Sequence, residues 1–261
     1  MKKKRILPDM DKIPPLFHPL MNKAEIYDSS SSKEAQVFFI HSDKGFFLKS
    51  AAKGTLEKEA KLTQFFHEKQ LAPEMLSYAS YDRDWLLTES ATGEDCTHSA
   101  YLDSPERLCD TIAEQLRKLH DLDYTGCPVP NRTKDYLAAA AHNCQAGSYD
   151  LSLFSDNWCY ASAEDARNVL EGGAHLLKTD TLLHGDYCLP NIILDNWRFS
   201  SFIDLGCAGV GDKHIDLFWG IWTLWFNLKT NKYQQRFLDA YGRRDIEPEM
   251  FRIIAAIEVF G

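Results

Sequence analysis

The chain has 261 residues, of which 44% are hydrophobic and 26% are charged, and this composition excludes a wholly disordered protein. Its 29 basic and 38 acidic residues give a formal net charge of −9, which disfavours nucleic acid as a partner. The same charge fits either a cationic small-molecule partner or a simple gain in solubility. No apolar run is long enough to span a bilayer, so we expect no membrane protein.

The seven cysteines are scattered and unpaired in the sequence, with no CxxC motif. This pattern does not support a structural zinc site or a thioredoxin-like redox site, and it is typical of a reducing compartment. The basic start MKKKR is followed by Asp9, Asp11 and several prolines, which interrupt any apolar core of a signal peptide. We therefore expect a cytoplasmic location, and the sequence carries no indication of an oligomeric state.

The first hundred residues predict β-structure with one helix. Residues 34–40 and 45–49 are β-prone runs, and Asp43 and Gly45 between them suit a hairpin turn. Apolar residues at helical spacing predict a helix over 55–70, and residues 85–88 predict a further strand.

The remainder is mainly helical, with a short return of β-structure. Helices are predicted over 105–120, 133–144, 163–170, 217–228, 233–241 and 248–259, and strands over 181–183, 192–194 and 199–205. The order predicts an α+β fold with a β-rich N-terminal lobe, residues 1–90, and a mainly helical C-terminal lobe, residues 91–261. We expect a cleft between the two lobes.

Polar residues interrupt the β-prone stretch TLLHGDYCLPNIILDNWRFSSFIDLG at 181–206. His184, Asp186, Asn191 and Asp204 stand at predicted strand ends, where a hairpin can bring them together. One carboxylate can orient or deprotonate an attacking hydroxyl, while an asparagine and a second carboxylate can bind Mg²⁺. This set is what phosphoryl transfer from ATP requires.

The spacing H-x-D-x-x-x-x-N followed by I-D-x-G is typical of the catalytic loop and metal motif of kinases. It predicts a protein-kinase-like two-lobe fold, although Gly185 replaces the usual Arg and Leu205 the usual Phe. His184 is open to two interpretations, a functional residue or a buried histidine that holds the backbone of the loop.

The nucleotide phosphates of a kinase need a cation that is held by an acid on a nearby helix. Lys49 ends a predicted strand, and both Glu57 and Glu59 follow on the predicted helix. Alone, Lys49 would be interpreted as an edge-strand lysine, but with the downstream motif it is a candidate phosphate ligand.

Two further segments are candidates for nucleotide contacts. The serine run from Ser29 to Ser32 can donate hydroxyl and amide hydrogen bonds to phosphates, or it is a solvated loop. After residues 85–88, the segment Glu89-Ser90-Ala91 stands where a linker between the lobes would offer its backbone to the adenine edge.

Together, HGDYCLPNIIL, FIDLGCAGVGDKHIDL, LEKEAKL after Lys49, and RKLHDLDYTGCP resemble the bacterial aminoglycoside 3′-phosphotransferases. The similarity runs from about Ala35 to the C-terminus. It implies an ATP- and Mg²⁺-dependent kinase that phosphorylates a sugar hydroxyl of kanamycin- and neomycin-type antibiotics and so confers resistance.

The resemblance implies a role for each matching residue. Asp186 would be the catalytic base, Asn191 and Asp204 would bind magnesium, and Lys49 would bind the phosphates with Glu59 as its ion-pair partner. Ser32 would belong to the phosphate loop.

The resemblance is weaker at the residues that would bind the antibiotic. Asn157, Glu258 and Asp186 are the candidate acceptor-binding residues. The family's loop after an Asn-Trp pair is usually acidic, but here Cys159 and Tyr160 follow, and of two terminal acids only Glu258 remains. Cys207 also replaces an arginine that is frequent in the family.

These departures leave alternatives open. The same fold could phosphorylate another small alcohol, such as a different antibiotic, choline, homoserine or a sugar. A non-catalytic nucleotide-binding pseudokinase is favoured only by the glycine-poor serine loop, and a zinc hydrolase built on His184 and Asp186 has no third ligand at usable spacing.

Overall fold

The structure is a computed structural model that describes residues 4–22, 24–42, 44–152 and 159–261. The chain forms two compact units, Met1–Thr97 with Pro190–Gly206, and His98–Leu189 with Cys207–Gly261. The predicted lobes 1–90 and 91–261 assign the segment 190–206 differently. It joins the first unit because Glu94 and Asp95 pair with Leu194 and Ile193 in one small sheet.

The strands among the described residues are mostly three to seven residues long. They are β1 (Lys4–Ile6), β2 (Glu25–Asp28), β3 (Gln36–His41), β4 (Phe46–Ala52), β5 (Met75–Ser80), β6 (Arg83–Glu89), β7 (Glu94–Asp95), β8 (Thr181–Leu183), β9 (Ile192–Asp195), β10 (Arg198–Phe202) and β11 (Gly209–Gly211).

The α-helices of the same residues fall largely in the second unit. They are α1 (His18–Met21), α2 (Glu57–Glu68), α3 (Ser99–Leu102), α4 (Pro105–His120), α5 (Arg132–Gln145), α6 (Ala163–Gly173), α7 (His214–Leu228), α8 (Gln234–Tyr241) and α9 (Pro248–Glu258). None of the helices in the described ranges is long and apolar enough to cross a membrane.

The first unit is built on a six-stranded antiparallel sheet in the order β1-β2-β3-β4-β6-β5. Its core lies on one face, where Phe17, Phe38, Ile40, Leu48 and Trp85 are almost fully buried. Period-two alternation explains this burial, because Phe38 and Ile40 on β3 point to the same side. The other face of β4 is therefore left to line a cavity.

A second sheet in the same unit has the order β10-β9-β7. The hairpin β9–β10 places its two open ends side by side, and Ile203 N donates to Asn191 O at 3.1 Å. The predicted hairpin involved residues 181–183 as well, but β8 pairs with β11 in the second unit instead. The three residues of β8 do not determine which strand they pair with. The pairing with β11 depends on the tertiary fold.

The second unit is mainly helical, as predicted. Helix α4 begins and ends at the predicted residues, and it buries Leu108, Ile112, Leu116 and Leu119 along one face. Its stripe packs against α7 and α8, while α9 packs against α6 and α7. A β-rich first unit and a helical second unit confirm the predicted α+β fold.

Candidate active site

The first unit contains a cavity of about 660 Å³, which is within the usual range for small-molecule sites. The sheet, helix α2 and the segment 190–205 line it. The lining includes the seven residues of this unit that the sequence assigned to nucleotide or metal: Ser32, Lys49, Glu59, Glu89, Ala91, Asn191 and Asp204. Sequence reasoning therefore selected residues that the fold brings to one place.

Strand geometry aims Lys49 into this cavity. On β4, Leu48 and Ser50 are buried on the core side, so the intervening Lys49 points to the opposite face. Its cross-strand neighbours, Val37 on β3 and Leu86 on β6, line the same cavity. An ammonium group thus stands on an otherwise apolar wall.

Lys49 lies between two carboxylates. Its Nζ donates to Glu59 Oε1 and Oε2 at 2.9 and 2.8 Å, and to Asp204 Oδ1 at 2.7 Å. Glu59 is buried on the first turn of α2, whereas the Asp204 side chain is 48% exposed. The cluster holds one positive and two negative charges, so it has an excess negative charge facing the cavity.

The charges in this cluster shift the pKa values of Lys49 and Glu59. Burial lowers the pKa of Lys49, but the charges of Glu59 and Asp204 outweigh it and hold the pKa above its ordinary value. Burial raises the pKa of Glu59, Lys49 partly offsets the rise, and the charge of Asp204 adds to it. Lys49 therefore remains an ammonium ion, the form that can bind phosphate.

Asn191 and Asp204 stand at the two ends of the β9–β10 hairpin and both line the cavity. Asp204 has φ +60°, a left-handed conformation that Asp tolerates better than most residues. An amide and a carboxylate oxygen fit Mg²⁺, which binds few protein ligands and completes its octahedron with phosphates and water. Among the residues that the structure describes, no cluster of three or more His, Cys, Asp or Glu is suited to a metal.

Hydrogen bonds within the loop and to β3 hold the serine loop that precedes β3. Ser29 N donates to Val37 O at 2.8 Å, and Val37 N donates to Ser30 Oγ at 2.9 Å. Ser30 N in turn donates to Asp28 Oδ1 at 3.0 Å. Ser32 lies on the exposed part of the loop and lines the cavity. Of the serines that the sequence offered as phosphate ligands, Ser29, Ser31 and Ser32 line the cavity, whereas the Ser30 hydroxyl accepts from Val37 N.

The segment after β6 forms another part of the lining. Ser90 N donates to Gly45 O at 3.0 Å, which ties the segment to the start of β4. The side chain of Glu89 accepts from Lys44 Nζ at 3.1 Å near the surface. The Glu89 N–H is also engaged, since it donates to Glu74 O at 2.9 Å. The Glu89 carbonyl and the Ala91 N–H are therefore the backbone groups suited to a ligand's polar edge.

The loop that carries Asp186 lies in the second unit and is fixed by one buried carboxylate. Asp216 is fully buried and accepts from His184 N at 2.8 Å and Gly185 N at 2.7 Å. His120 Nε2 lies 3.2 Å from the same carboxylate. These two backbone hydrogen bonds to one carboxylate hold residues 184 and 185 in one conformation. They thereby also fix the backbone that leads into Asp186.

Gly185 is required by close packing within this unit. A Cβ atom at this position would lie 1.8 Å from the carbonyl oxygen of Cys207, and φ is +83°. No residue with a side chain fits at this position, which explains why glycine stands where the protein-kinase motif has arginine. His184 is fully buried and its Nδ1 accepts from Asp186 N at 3.3 Å, so the geometry favours the structural interpretation of this histidine.

The far end of the loop is anchored to two helices. Tyr187 Oη donates to Ile112 O on α4 at 2.8 Å, and Leu189 N donates to Thr223 Oγ1 on α7 at 3.0 Å. With both ends fixed, the Asp186 carboxylate is presented by a rigid support, as a catalytic group requires.

Glu258 lies at the end of α9, buried beside α5 and α7. Its Oε1 accepts from Tyr136 Oη at 2.6 Å and from Trp219 Nε1 at 2.9 Å. Burial raises its pKa to about 7, and Tyr136 and Trp219 limit the rise. The negative charge of Asp186, which belongs to the same unit, adds to the rise.

Residues 29–252 match the family described as "Phosphotransferase enzyme family". The chain is also 47% identical, over 254 residues and 97% of both chains, to a "Probable aminoglycoside 3′-phosphotransferase" of Lactococcus lactis subsp. lactis. The chain belongs to this phosphotransferase enzyme family.

Solved structures confirm the kinase-like fold of this phosphotransferase. A type VIII aminoglycoside 3′-phosphotransferase matches with a TM-score of 0.76 at 22% identity, covering 91% of this chain and 94% of the other. An aminoglycoside phosphotransferase of Streptomyces rimosus, in complex with ADP and streptomycin, matches with a TM-score of 0.76 at 18% identity, covering 97% and 99%. At these identities the likeness establishes the architecture.

Sequence reasoning missed several residues that shape the site of this phosphotransferase. Asp216 and Thr223, which fix the Asp186 loop, were not singled out, although Asp216 belongs to the quoted segment FIDLGCAGVGDKHIDL. Tyr136 and Trp219, which donate to Glu258, are not part of any motif that the sequence analysis used. Asn157, a predicted acceptor ligand, lies outside the described residues.

We expect Glu258 to make stability fall as pH rises between about 5 and 7. The folded protein holds its proton with a pKa of about 7, above the ordinary 4.5, so the native state binds more protons than the unfolded chain in this range. The effect is about 3 kcal/mol at most. Urea unfolding at pH 5 and pH 7.5 should show a smaller pH difference for Glu258→Gln than for wild type.

The matched control for this measurement is Glu249→Gln, an exposed glutamate on the same helix. It should reproduce the wild-type pH difference. An identical pH difference in wild type and Glu258→Gln would show that Glu258 is not the group responsible.

Proposed function

We propose that this chain transfers the γ-phosphoryl group of ATP to the 3′-hydroxyl of an aminoglycoside antibiotic, and thereby confers resistance. The family membership establishes phosphotransferase chemistry. The full-length similarity to the Lactococcus lactis protein supports the antibiotic as acceptor. The observation that carries the reaction is Lys49, an ammonium held between Glu59 and Asp204 on the wall of the cavity.

In this proposal the first unit binds the nucleotide. Lys49 donates to the phosphates, with Glu59 fixing its position, and Ser32 adds donors from the serine loop. The backbone of Glu89 and Ala91 pairs with the adenine edge. ADP in the Streptomyces rimosus protein, which shares the fold, supports a nucleotide as the occupant.

Asn191 and Asp204 would hold Mg²⁺ against the phosphates. The metal would neutralise phosphate charge as the bond to the leaving group breaks. The two side chains would supply hard oxygen ligands from opposite ends of one hairpin, and the bond from Ile203 N to Asn191 O ties those ends together.

Asp186 would orient the acceptor hydroxyl and take its proton late in the transfer. The bond from the acceptor oxygen to the γ-phosphorus forms while the bond from the β–γ bridging oxygen breaks, and ADP leaves. Positioning and charge neutralisation supply most of the acceleration in such reactions. The residues whose loss would mark a non-catalytic pseudokinase are all present, namely Lys49, Asp186, Asn191 and Asp204.

A cytoplasmic location is part of the proposal. None of the seven cysteines is part of a disulfide, as in proteins of a reducing compartment, and ATP is available there.

The test is turnover by the purified full chain with Mg²⁺ and ATP. Kanamycin B and its 3′-deoxy analogue form a matched pair of acceptors, because they differ at the hydroxyl that should react. We expect ADP release with kanamycin B and none above background with the deoxy compound.

Equal turnover of the two compounds would reject the 3′-position. Turnover with choline or homoserine and none with aminoglycosides would instead favour the alternative of a kinase for another small alcohol. The observation behind that alternative is that Cys159 and Tyr160 replace the acidic loop residues expected of an antibiotic site.

A further inference from the structure

Arg132, the first residue of helix α5, carries a half-buried guanidinium group that uses few of its donors. Its Nε donates to Cys207 O at 2.8 Å, which is its only hydrogen bond within the described part of the chain. No carboxylate of the same residues forms an ion pair with it. A guanidinium has five N–H donors, so most of them remain available to a ligand.

The place of this charge is not explained by the stability of the helix. The N-terminus of a helix has a partial positive charge, so a cation on its first residue is unfavourable. The ring of Tyr136, one turn further along, has its centroid 5.5 Å from Arg132 Cζ. This cation–π contact and the bond to Cys207 O hold the guanidinium in a defined direction.

Two hydrogen bonds fix the start of α5 relative to the strands that lead into the Asp186 loop. Val210 N on β11 donates to Val129 O at 2.8 Å, just before the helix. Thr133 Oγ1 donates to Lys178 O at 2.8 Å, just before β8. Because β11 pairs with β8, the start of the helix has a fixed place beside the strand that leads into this loop.

The carbonyl group that accepts from Arg132 also packs against the Asp186 loop. Cys207 O would lie 1.8 Å from a Cβ atom at Gly185, so it touches the backbone immediately before Asp186. A single oxygen atom thus stands between the guanidinium and the residue that precedes the proposed base. Arg132 therefore belongs to the immediate surroundings of that base.

We propose that Arg132 is a further catalytic residue of this phosphotransferase, whose guanidinium binds the phosphoryl group during its transfer. The inference rests on the proposed function and deepens it by naming a ligand of the reacting group. A cationic acceptor would be repelled by Arg132, so the ligand that fits is an anion. The phosphoryl group is that anion, and it must come to Asp186 because the hydroxyl that Asp186 orients attacks it.

The guanidinium would act through its charge and its hydrogen bonds, without exchanging a proton. The bond from the acceptor oxygen to phosphorus forms, the bond to the β–γ bridging oxygen breaks, and Asp186 takes the hydroxyl proton. Negative charge spreads over the three non-bridging oxygens in this transition state. The planar fork of an arginine can donate to two of them and remains charged throughout.

The experiment measures kcat with ATP and kanamycin B in Arg132→Gln and Arg132→Lys. We expect kcat to fall by about 10²- to 10³-fold in Arg132→Gln, the usual cost of losing one donor to a transition-state oxygen. Arg132→Lys keeps the charge but not the fork, so its loss should be smaller. Lys134→Gln removes another cation from the first turn of α5, on a different face, and should behave as wild type.

The double variant Arg132→Gln/Cys207→Arg tests whether the guanidinium itself is needed. Cys207 stands where an arginine is frequent in the family, and its side chain is exposed, so the longer side chain has room. Since Arg132 is bonded to the carbonyl of this residue, an arginine at 207 would return a guanidinium to the same surroundings. We expect kcat to recover by at least about tenfold over Arg132→Gln.

Binding of ADP with aluminium fluoride, which mimics the phosphoryl group in transfer, separates catalysis from mere support of the loop. Loss of the Arg132 guanidinium should weaken binding of this complex by about tenfold or more and leave binding of ADP alone unchanged. A kcat within threefold of wild type in Arg132→Gln would overturn the inference. So would a loss of kcat that the double variant does not restore and that leaves binding of ADP–aluminium fluoride unchanged.

Failure of this inference is distinguishable from failure of the proposed function. Wild type that binds ADP–aluminium fluoride in an Arg132-dependent manner but phosphorylates no aminoglycoside would reject the antibiotic as acceptor and support the role of Arg132. Turnover of kanamycin B that is insensitive to Arg132→Gln would leave the function standing and overturn the inference. Wild type with neither turnover nor Arg132-dependent binding would reject both.

Discussion

Asp186→Asn is expected to lower kcat for aminoglycoside phosphorylation by about 10²- to 10⁴-fold while the protein stays folded. The amide keeps the shape of the side chain but cannot accept the hydroxyl proton, and it orients the hydroxyl less strongly. The backbone of the loop is held by Asp216 through His184 N and Gly185 N, so its conformation should survive.

The measurement is steady-state kinetics together with nucleotide affinity. Binding of ATP should change little, since the groups assigned to the nucleotide belong to the first unit. Asp180→Asn, an exposed carboxylate just before β8, is the matched control and should retain full activity. A rate for Asp186→Asn within tenfold of wild type would remove Asp186 from the catalytic role.

The second large effect is expected from Asp204. We expect Asp204→Asn to lower kcat/KM for ATP by at least about 100-fold. The metal ion that Asp204 would hold supplies several kcal/mol of charge stabilisation in the transition state. Asparagine is the informative substitution, since it tolerates the left-handed backbone at φ +60° that alanine would strain. The Mg²⁺ concentration needed for half-maximal rate should rise.

Asp195→Asn is the control for this variant, because Asp195 ends β9 on the same hairpin and is exposed. Titrations of Mg²⁺ at fixed ATP would separate a metal defect from a nucleotide defect. An unchanged Mg²⁺ requirement in Asp204→Asn, with wild-type kcat/KM, would mean that the metal is bound elsewhere.

Local patterns predicted the elements that have strong periodicity. Helix α4 begins at Pro105 and ends at His120 as predicted, because its leucines repeat at helical spacing and a proline marks its first turn. Strands β3 and β4 were also predicted within a few residues. In contrast, β1, β2 and β5 were missed, because short strands without clear alternation are stabilised by the neighbours with which they pair.

The candidate site shows the same limit at the level of side chains. Lys49, Asp186 and Asp204 were selected from their residue types and their order in the chain, since the proposed chemistry requires them. The contact between Lys49 and Asp204, 155 residues apart, depends on the fold. The sequence also could not show that position 185 requires glycine. That requirement arises from the carbonyl group of Cys207, which lies later in the chain and packs against Gly185.

The bond of 2.7 Å between Lys49 and Asp204 gives the carboxylate a tethered counter-ion. In the proposed function, a free divalent cation that approaches Asp204 would compete with an ammonium whose local concentration never falls. Lys49 would give up that carboxylate more readily once phosphate oxygens replace it. We therefore expect uptake of magnesium together with the nucleotide rather than uptake of the metal first.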